Sequence, residues 1–207
     1  MRREARPTMV EFFVNYRTGD EENVAALLEH ALSRRFESGV FFRASKSIPP
    51  GDDYERALVT AVRRSTALLA VIGPRWLEVR DKQGQPKLDD AADWTRREIL
   101  EAFGNRVRVI PVLVGKARPL AASDLPAELS ELAVCEYLRL RNRDMEADLD
   151  RLAVELTRLV PELKDKKVLT PGTGGTVNNA YDDAQIGVQG TVMGNVDFGP
   201  WRDRGGR

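Results

Sequence analysis

This chain of 207 residues has one cysteine, one histidine and no excess of either charge, and each shortage removes a class of protein. A lone Cys135 closes no disulfide within the chain, so the core must hold the fold, as suits a reducing, cytoplasmic setting. Lying after Leu132, Ala133 and Val134, Cys135 reads as a small buried hydrophobe rather than as a nucleophile. His30, with no Cys/His cluster around it, leaves zinc short of ligands, and it falls on a helix face expected to be solvated. No metal and no resident cofactor are expected. Lys+Arg and Asp+Glu balance at 32 each, so no general field draws the chain to nucleic acid or to an anionic membrane. No apolar run approaches the roughly 18 residues that span a bilayer, and Met1-Arg2-Arg3-Glu4 leads into no signal-peptide core. Also missing after the strands are the G-x-G-x-x-G and G-x-x-x-x-G-K-[ST] loops, which removes the hydride-transfer and P-loop readings.

What is present is a regular alternation. Residues 10–16, 40–42, 67–72, 107–114 and 134–138 are apolar and β-branched, and several are apolar throughout, as strands buried on both faces should be. Between them, residues 21–36 place Val24, Leu27, Leu28, Ala31, Leu32 and Phe36 at helical spacing. Residues 54–64 repeat this with Leu58, Val59 and Val62, and residues 144–160 with Leu149, Leu152, Leu156 and Leu159, before Pro161. This βαβα order predicts an α/β domain, a doubly wound parallel sheet wrapped by helices. Ligands of such sheets bind beyond the carboxyl ends of the strands, where the strand order reverses. The loops after the first three strands are therefore the place to look for chemistry.

The first loop, Asn15-Tyr16-Arg17-Thr18-Gly19-Asp20, puts a cation at a strand end. Arg17 could hold a phosphate or ribose there, or the turn could simply start a helix with Asp20 as its N-cap. The second loop, 43–53, contains Arg43, Ser45, Lys46, Ile48, Pro49, Pro50 and Gly51; two prolines and a glycine stiffen it, as suits a contact or lid. Its charges also fit an ordinary surface. The third leads through Gly73-Pro74-Arg75-Trp76 and a polar insertion at 81–90 to Asp93-Trp94-Thr95-Arg96-Arg97-Glu98. On a helix Trp94 and Glu98 share a face, which sets one carboxylate against one indole.

Four motifs in order, Glu11-Phe12-Phe13-Val14-Asn15-Tyr16-Arg17, Ile48-Pro49-Pro50-Gly51, 68–76 and 93–98, resemble a bacterial TIR (Toll/interleukin-1 receptor) domain over about three quarters of the chain. The resemblance implies a flavodoxin-like, five-stranded parallel sheet spanning residues 8–161. It makes the 43–53 loop the family's BB loop, which gates the pocket and mediates self-association through Ile48, Pro49, Pro50 and Gly51. It matches Glu98 to the catalytic glutamate of members that cleave NAD between nicotinamide and ribose. It also implies that Trp94 walls the pocket while Tyr16, Arg17, Arg43 and Ser45 meet the substrate. A single carboxylate suits this reaction, because nicotinamide leaves a cationic precursor as a neutral amine and needs no general acid. Thr95 stands where many active bacterial members carry cysteine. Two other functions remain open: a non-enzymatic adaptor, and a nucleoside deoxyribosyltransferase sharing the architecture.

Beyond Pro161 the composition changes. Lys164-Asp165-Lys166-Lys167 reads as solvated, and residues 162–177, with Pro171-Gly172-Thr173-Gly174-Gly175-Thr176, as a flexible linker. Within 178–199, even positions from Ile186 are apolar or glycine (Val188, Gly190, Val192, Gly194, Val196, Phe198), while Gln189, Thr191 and Asn195 alternate with them. No charge occurs between Ala184 and Val196. That is a strand's period with the composition of stacking cross-β segments. Gln185-Ile186-Gly187-Val188-Gln189 resembles RHIM-like bacterial amyloid signalling motifs, although Ala184 stands where the RHIM core has Ile or Val. The resemblance implies a partner, a nucleotide-binding receptor carrying a matching motif. An edge hairpin or a disordered tail are the alternatives, and residues 200–207 are expected to be disordered.

Overall fold

The computed structural model describes residues 11–36, 39–43, 48, 51 and 53–169. Five strands, β1 (Phe12–Asn15), β2 (Phe41–Phe42), β3 (Ala67–Ile72), β4 (Arg108–Val114) and β5 (Leu138–Leu140), form one sheet in the order β2-β1-β3-β4-β5. Every pairing is parallel. Four main helices, α1 (Glu22–Arg35), α2 (Tyr54–Arg64), α3 (Trp94–Gly104) and α4 (Met145–Leu159), cover its two faces.

The two-residue period of a strand assigns the core directly. In β3 all six side chains are buried: Leu68, Ala70 and Ile72 pack on the face shared with Leu58, Val62, Ile99 and Ala102 of α2 and α3. Ala67, Leu69 and Val71 pack on the opposite face with Leu28 and Leu32 of α1 and Leu152 and Leu156 of α4. Phe12 stacks on Phe41 at 5.2 Å and Phe13 on Phe42 at 5.3 Å, so the β1–β2 register places one aromatic pair on each face. This register anchors a strand only two residues long. Each buried phenylalanine contributes about 2–3 kcal/mol of transfer free energy.

The fifth strand begins later than the sequence suggests, and the reason is local. Residues 127–134 form a 3-10 helix in which Leu129 and Leu132, three apart, face the core while Val134 is 81% exposed. Cys135 is half-buried, its Sγ set against the Glu131 carbonyl oxygen at 3.4 Å, and burial together with Glu131 pushes the thiol pKa up. Arg139 hides the true strand by interrupting Leu138 and Leu140. Its guanidinium turns back to donate to the carbonyls of Gly115 (3.1 Å) and Ala117 (2.7 Å).

Residues 162–169 are also more ordered than a linker. The Arg35 guanidinium forms ion pairs with Asp165 and Asp150, Lys166 Nζ donates to the Phe36 carbonyl at 2.7 Å, and Asp165 is buried rather than solvated. His30 is exposed on α1, as its helix face predicts. Of the segments assigned to the C-terminal motif, Gln185, Ile186, Gly187, Val188, Gln189, Val192, Asn195 and Val196 lie outside the described residues.

At the switch point between β1 and β3 one side chain ties the strand ends together. Asp20 was expected to cap α1, but Glu21 holds that position with φ 46° and no side-chain cap bond. The Asp20 carboxylate instead accepts the amides of Gly73 (2.8 Å) and Arg75 (2.9 Å) across the sheet. A Cβ on Gly73 would lie 2.5 Å from Asp20 Oδ1 and 2.2 Å from Glu21 Cγ, so only glycine admits this approach. Asp20→Ala orphans the buried Gly73 amide and the part-buried Arg75 amide, and is expected to cost about 2–3 kcal/mol, read as a shift of the urea midpoint.

Candidate functional site

A cleft of about 350 Å³ opens beyond the carboxyl ends of β1 and β3, where the topology places ligand sites. Tyr16 and Arg17 reach it from β1, Trp94 and Glu98 from the first turn and a half of α3, Tyr54 from the start of α2, and Lys87 from the 81–90 insertion. The indole and carboxylate that share a helix face by spacing therefore line one wall. Asp93 starts that helix, its Oδ1 accepting the Arg96 amide at 3.0 Å.

Glu98 is the most buried carboxyl of the cleft lining, 7% exposed and without an ion-pair partner among the described residues. Asn15 Nδ2 donates to its Oε2 at 2.6 Å and also to the Thr95 carbonyl at 3.2 Å. Burial pushes its pKa up to about 8; the Asn15 bond works against this, and the negative charge of Asp93 adds to it. At neutral pH the carboxyl therefore keeps its proton. Burial likewise raises the pKa of Tyr54, with smaller contributions from Glu98 and Tyr16.

Trp94 is held on two sides. The Tyr54 ring meets it edge-on at 5.6 Å, and the Arg97 guanidinium lies 4.2 Å from its centroid while pairing with Glu55. The indole is thus a fixed wall. Thr95, in the position flagged as a departure, donates its hydroxyl to the Tyr16 carbonyl at 3.2 Å and fastens the helix start to the β1 loop.

Two expected substrate contacts are placed differently. Arg17 does line the cleft, but its side chain is 2% exposed and both its terminal nitrogens donate to Asp93, at 3.0 and 2.8 Å. Its guanidinium also lies 5.4 Å from the Trp76 ring centroid, so it is an internal strut rather than a hand held out to phosphate. Arg43 is absent from the cleft lining; it pairs with Glu29 at 3.8 Å and lies 6.0 Å from the Tyr16 ring centroid. Ile48 packs half-buried against the α2/α3 side of the core, whereas Gly51 is exposed in the left-handed region at φ 96°. Ser45, Pro49 and Pro50 lie outside the described residues.

Sequence reasoning missed Tyr54 and Lys87 as cleft residues and Asn15 as the buried partner of Glu98. Asn15 carried one available signal, a polar residue ending an otherwise apolar buried strand. Tyr54 and Lys87 carried none, because their approach to Glu98 depends on how α2 and the insertion pack.

Fold and site together define a flavodoxin-like α/β domain with a carboxylate cleft at its switch point. Residues 12–153 match the TIR domain family, and the chain belongs to that family. Among solved structures, the TIR domains of the activated Roq1 resistosome, which directly recognises the pathogen effector XopQ, align at 14% identity and TM-score 0.55. That alignment covers 71% of this chain and 99% of the other. A metazoan TIR-STING receptor from C. gigas bound to 2',3'-cGAMP aligns at 21% identity and TM-score 0.48, over 70% of this chain and 40% of that receptor. The TIR domain of the Toll-related receptor TRR-2 from Hydra magnipapillata aligns at 18% identity and TM-score 0.46, over 71% and 97%. No curated protein matches the chain. No helix among the described residues is long and apolar enough to cross a membrane.

Proposed function

We propose that this TIR domain is a signalling effector that cleaves NAD at the nicotinamide–ribose bond when clustered, in bacterial innate immunity. The observation that carries the reading is Glu98, a cleft-lining carboxyl without a salt bridge among the described residues, beside a fixed indole. In the reaction the ribose C1–nicotinamide nitrogen bond breaks and its electron pair neutralises the pyridinium. A water oxygen then bonds to C1 and gives up a proton. Ionised Glu98 would stabilise the positive charge spreading over the ribose ring. Because its charged form is disfavoured in the empty cleft, a cationic nicotinamide ribose is the partner that would favour ionisation. Incubating the clustered chain with NAD should release nicotinamide, and Glu98→Ala should not.

The burial of Glu98 and the commitment of Arg17 to Asp93 favour a second reading, a non-enzymatic adaptor acting through its surface alone. Equal nicotinamide release from wild type and Glu98→Ala, or none from either, would support it. In both readings residues 178–199 are proposed to assemble copies of the chain with a receptor carrying a matching segment, through cross-β stacking. The resistosome relative is likewise an assembly containing TIR domains. Replacing Ile186 and Val188 by aspartate is expected to abolish assembly, measured as loss of sedimentable or dye-binding polymer, because a charge repeated at every layer of a stack repels itself.

A further inference from the structure

The cleft contains two basic side chains, Arg17 and Lys87, and the first is spent on Asp93. Lys87 forms no ion pair with any described residue. Its backbone is nonetheless fixed, since the Arg80–Pro86 bridge closes a tight turn that leads into a short 3-10 helix at Lys87–Asp89. The Lys87 amide donates to the Val79 carbonyl at 2.9 Å, and the Asp81 amide to the Gln85 carbonyl at 2.9 Å. Asp81 Oδ1 accepts the amides of Gln83 and Gln85, both at 2.8 Å, and Gly84 supplies the positive φ of 82° that the turn needs. Behind Lys87, Leu88 is buried, and Arg96 Nη1 donates to the carbonyls of Leu88 (3.0 Å) and Asp89 (3.1 Å). Asp90, also at the cleft, lends its Oδ1 to the Ala92 amide at 2.8 Å. The Asp81 and Asp90 carboxylates thus serve the turns of the insertion, and among the described residues Lys87 is the one basic residue lining the cleft that is not spent on an ion pair.

We propose that Lys87 is the specificity-determining residue of this cleft: its ammonium receives the diphosphate of a dinucleotide whose scissile ribose end lies at Glu98. The inference rests on the NAD-cleaving reading and assigns to the insertion the phosphate contact that Arg17 is too committed to make. A lysine suits the task as a point charge facing a flexible diphosphate.

Calorimetric titration of the full chain separates this role from catalysis. ADP-ribose keeps the diphosphate and lacks the scissile bond, whereas nicotinamide riboside has the scissile bond and no phosphate. Lys87→Ala is expected to weaken ADP-ribose binding by about tenfold or more and to leave nicotinamide riboside within about twofold, with Lys87→Arg restoring most of the loss. Equal ADP-ribose affinity in wild type and Lys87→Ala, equal weakening of both ligands, or no binding of ADP-ribose to wild type would each overturn it. Lys87-dependent ADP-ribose binding without nicotinamide release from NAD would support the inference and overturn the enzymatic reading.

Discussion

Glu98→Gln is expected to lower nicotinamide release by about a hundred- to a thousandfold, with little change in binding, because it removes charge stabilisation that matters most as the ribosyl cation forms. The glutamine keeps an oxygen for Asn15 Nδ2, so the geometry at 2.6 Å survives while the charge is lost. The same substitution should stabilise the protein, and only at higher pH. Glu98 has a folded pKa near 8 against an ordinary 4.5, so folding favours the protonated carboxyl. Below about pH 4.5 both states hold the proton and Glu98 carries no penalty. As pH rises above that value the unfolded chain releases the proton first, and the penalty grows until the folded carboxyl also ionises near pH 8. At about 1.4 kcal/mol per unit, the penalty reaches on the order of 4–5 kcal/mol. Urea unfolding at pH 4.5 should therefore show wild type and Glu98→Gln nearly equal, whereas at pH 9 the variant should be the more stable. In wild type, kcat/KM should rise with pH, pass half its plateau near pH 8 and level off above that, since the free protein must ionise Glu98 to act. A flat stability difference across this range would mean that Glu98 meets water more freely than its burial implies.

Arg17→Ala is expected to be the most destabilising of these substitutions. It leaves the Asp93 carboxylate without the two guanidinium bonds at 2.8 and 3.0 Å, and it empties a fully buried volume beside Trp76. Removing one partner of a buried pair costs about 3–5 kcal/mol, mostly as the penalty on the charge left behind. Asp93 also caps α3, so the loss reaches the helix that carries Trp94 and Glu98. A double-mutant cycle with Asp93→Ala should show strong coupling, because the two losses share one interaction. If Arg17 served only as a substrate contact, its removal would raise KM and leave the denaturation midpoint in place.

Much of this fold is legible in the chain because strand burial is a local pattern. The runs at 67–72 and 107–114 have no polar face, which requires cover on both sides, and β3 and β4 lie where those runs are. The helix at 54–64 likewise follows its apolar period to the residue. The fifth strand was displaced because its residues advertise the wrong pattern. Leu129 and Leu132 are apolar for the sake of a 3-10 turn, and Arg139 is polar within a strand because its charged end curls out to two carbonyls.

The site divides in the same way. That Glu98 and Trp94 face one direction follows from helical spacing alone, and that they sit near strand ends follows from the order of elements. Which charges of the cleft are available does not follow from either. Arg17 and Asp93 are 76 residues apart, Asn15 and Glu98 are 83 apart, and only packing decides that the first pair neutralises itself while the second leaves a carboxyl dry. The sequence by itself determined the sheet, the helices that cover it and the face on which the carboxylate stands, since these depend on the period of apolar residues. The tertiary structure alone decided that Arg17 is a strut, that Arg43 turns to Glu29, that Lys87 borders the cleft and that Glu98 keeps its proton. Those outcomes depend on which distant groups exclude water from one another.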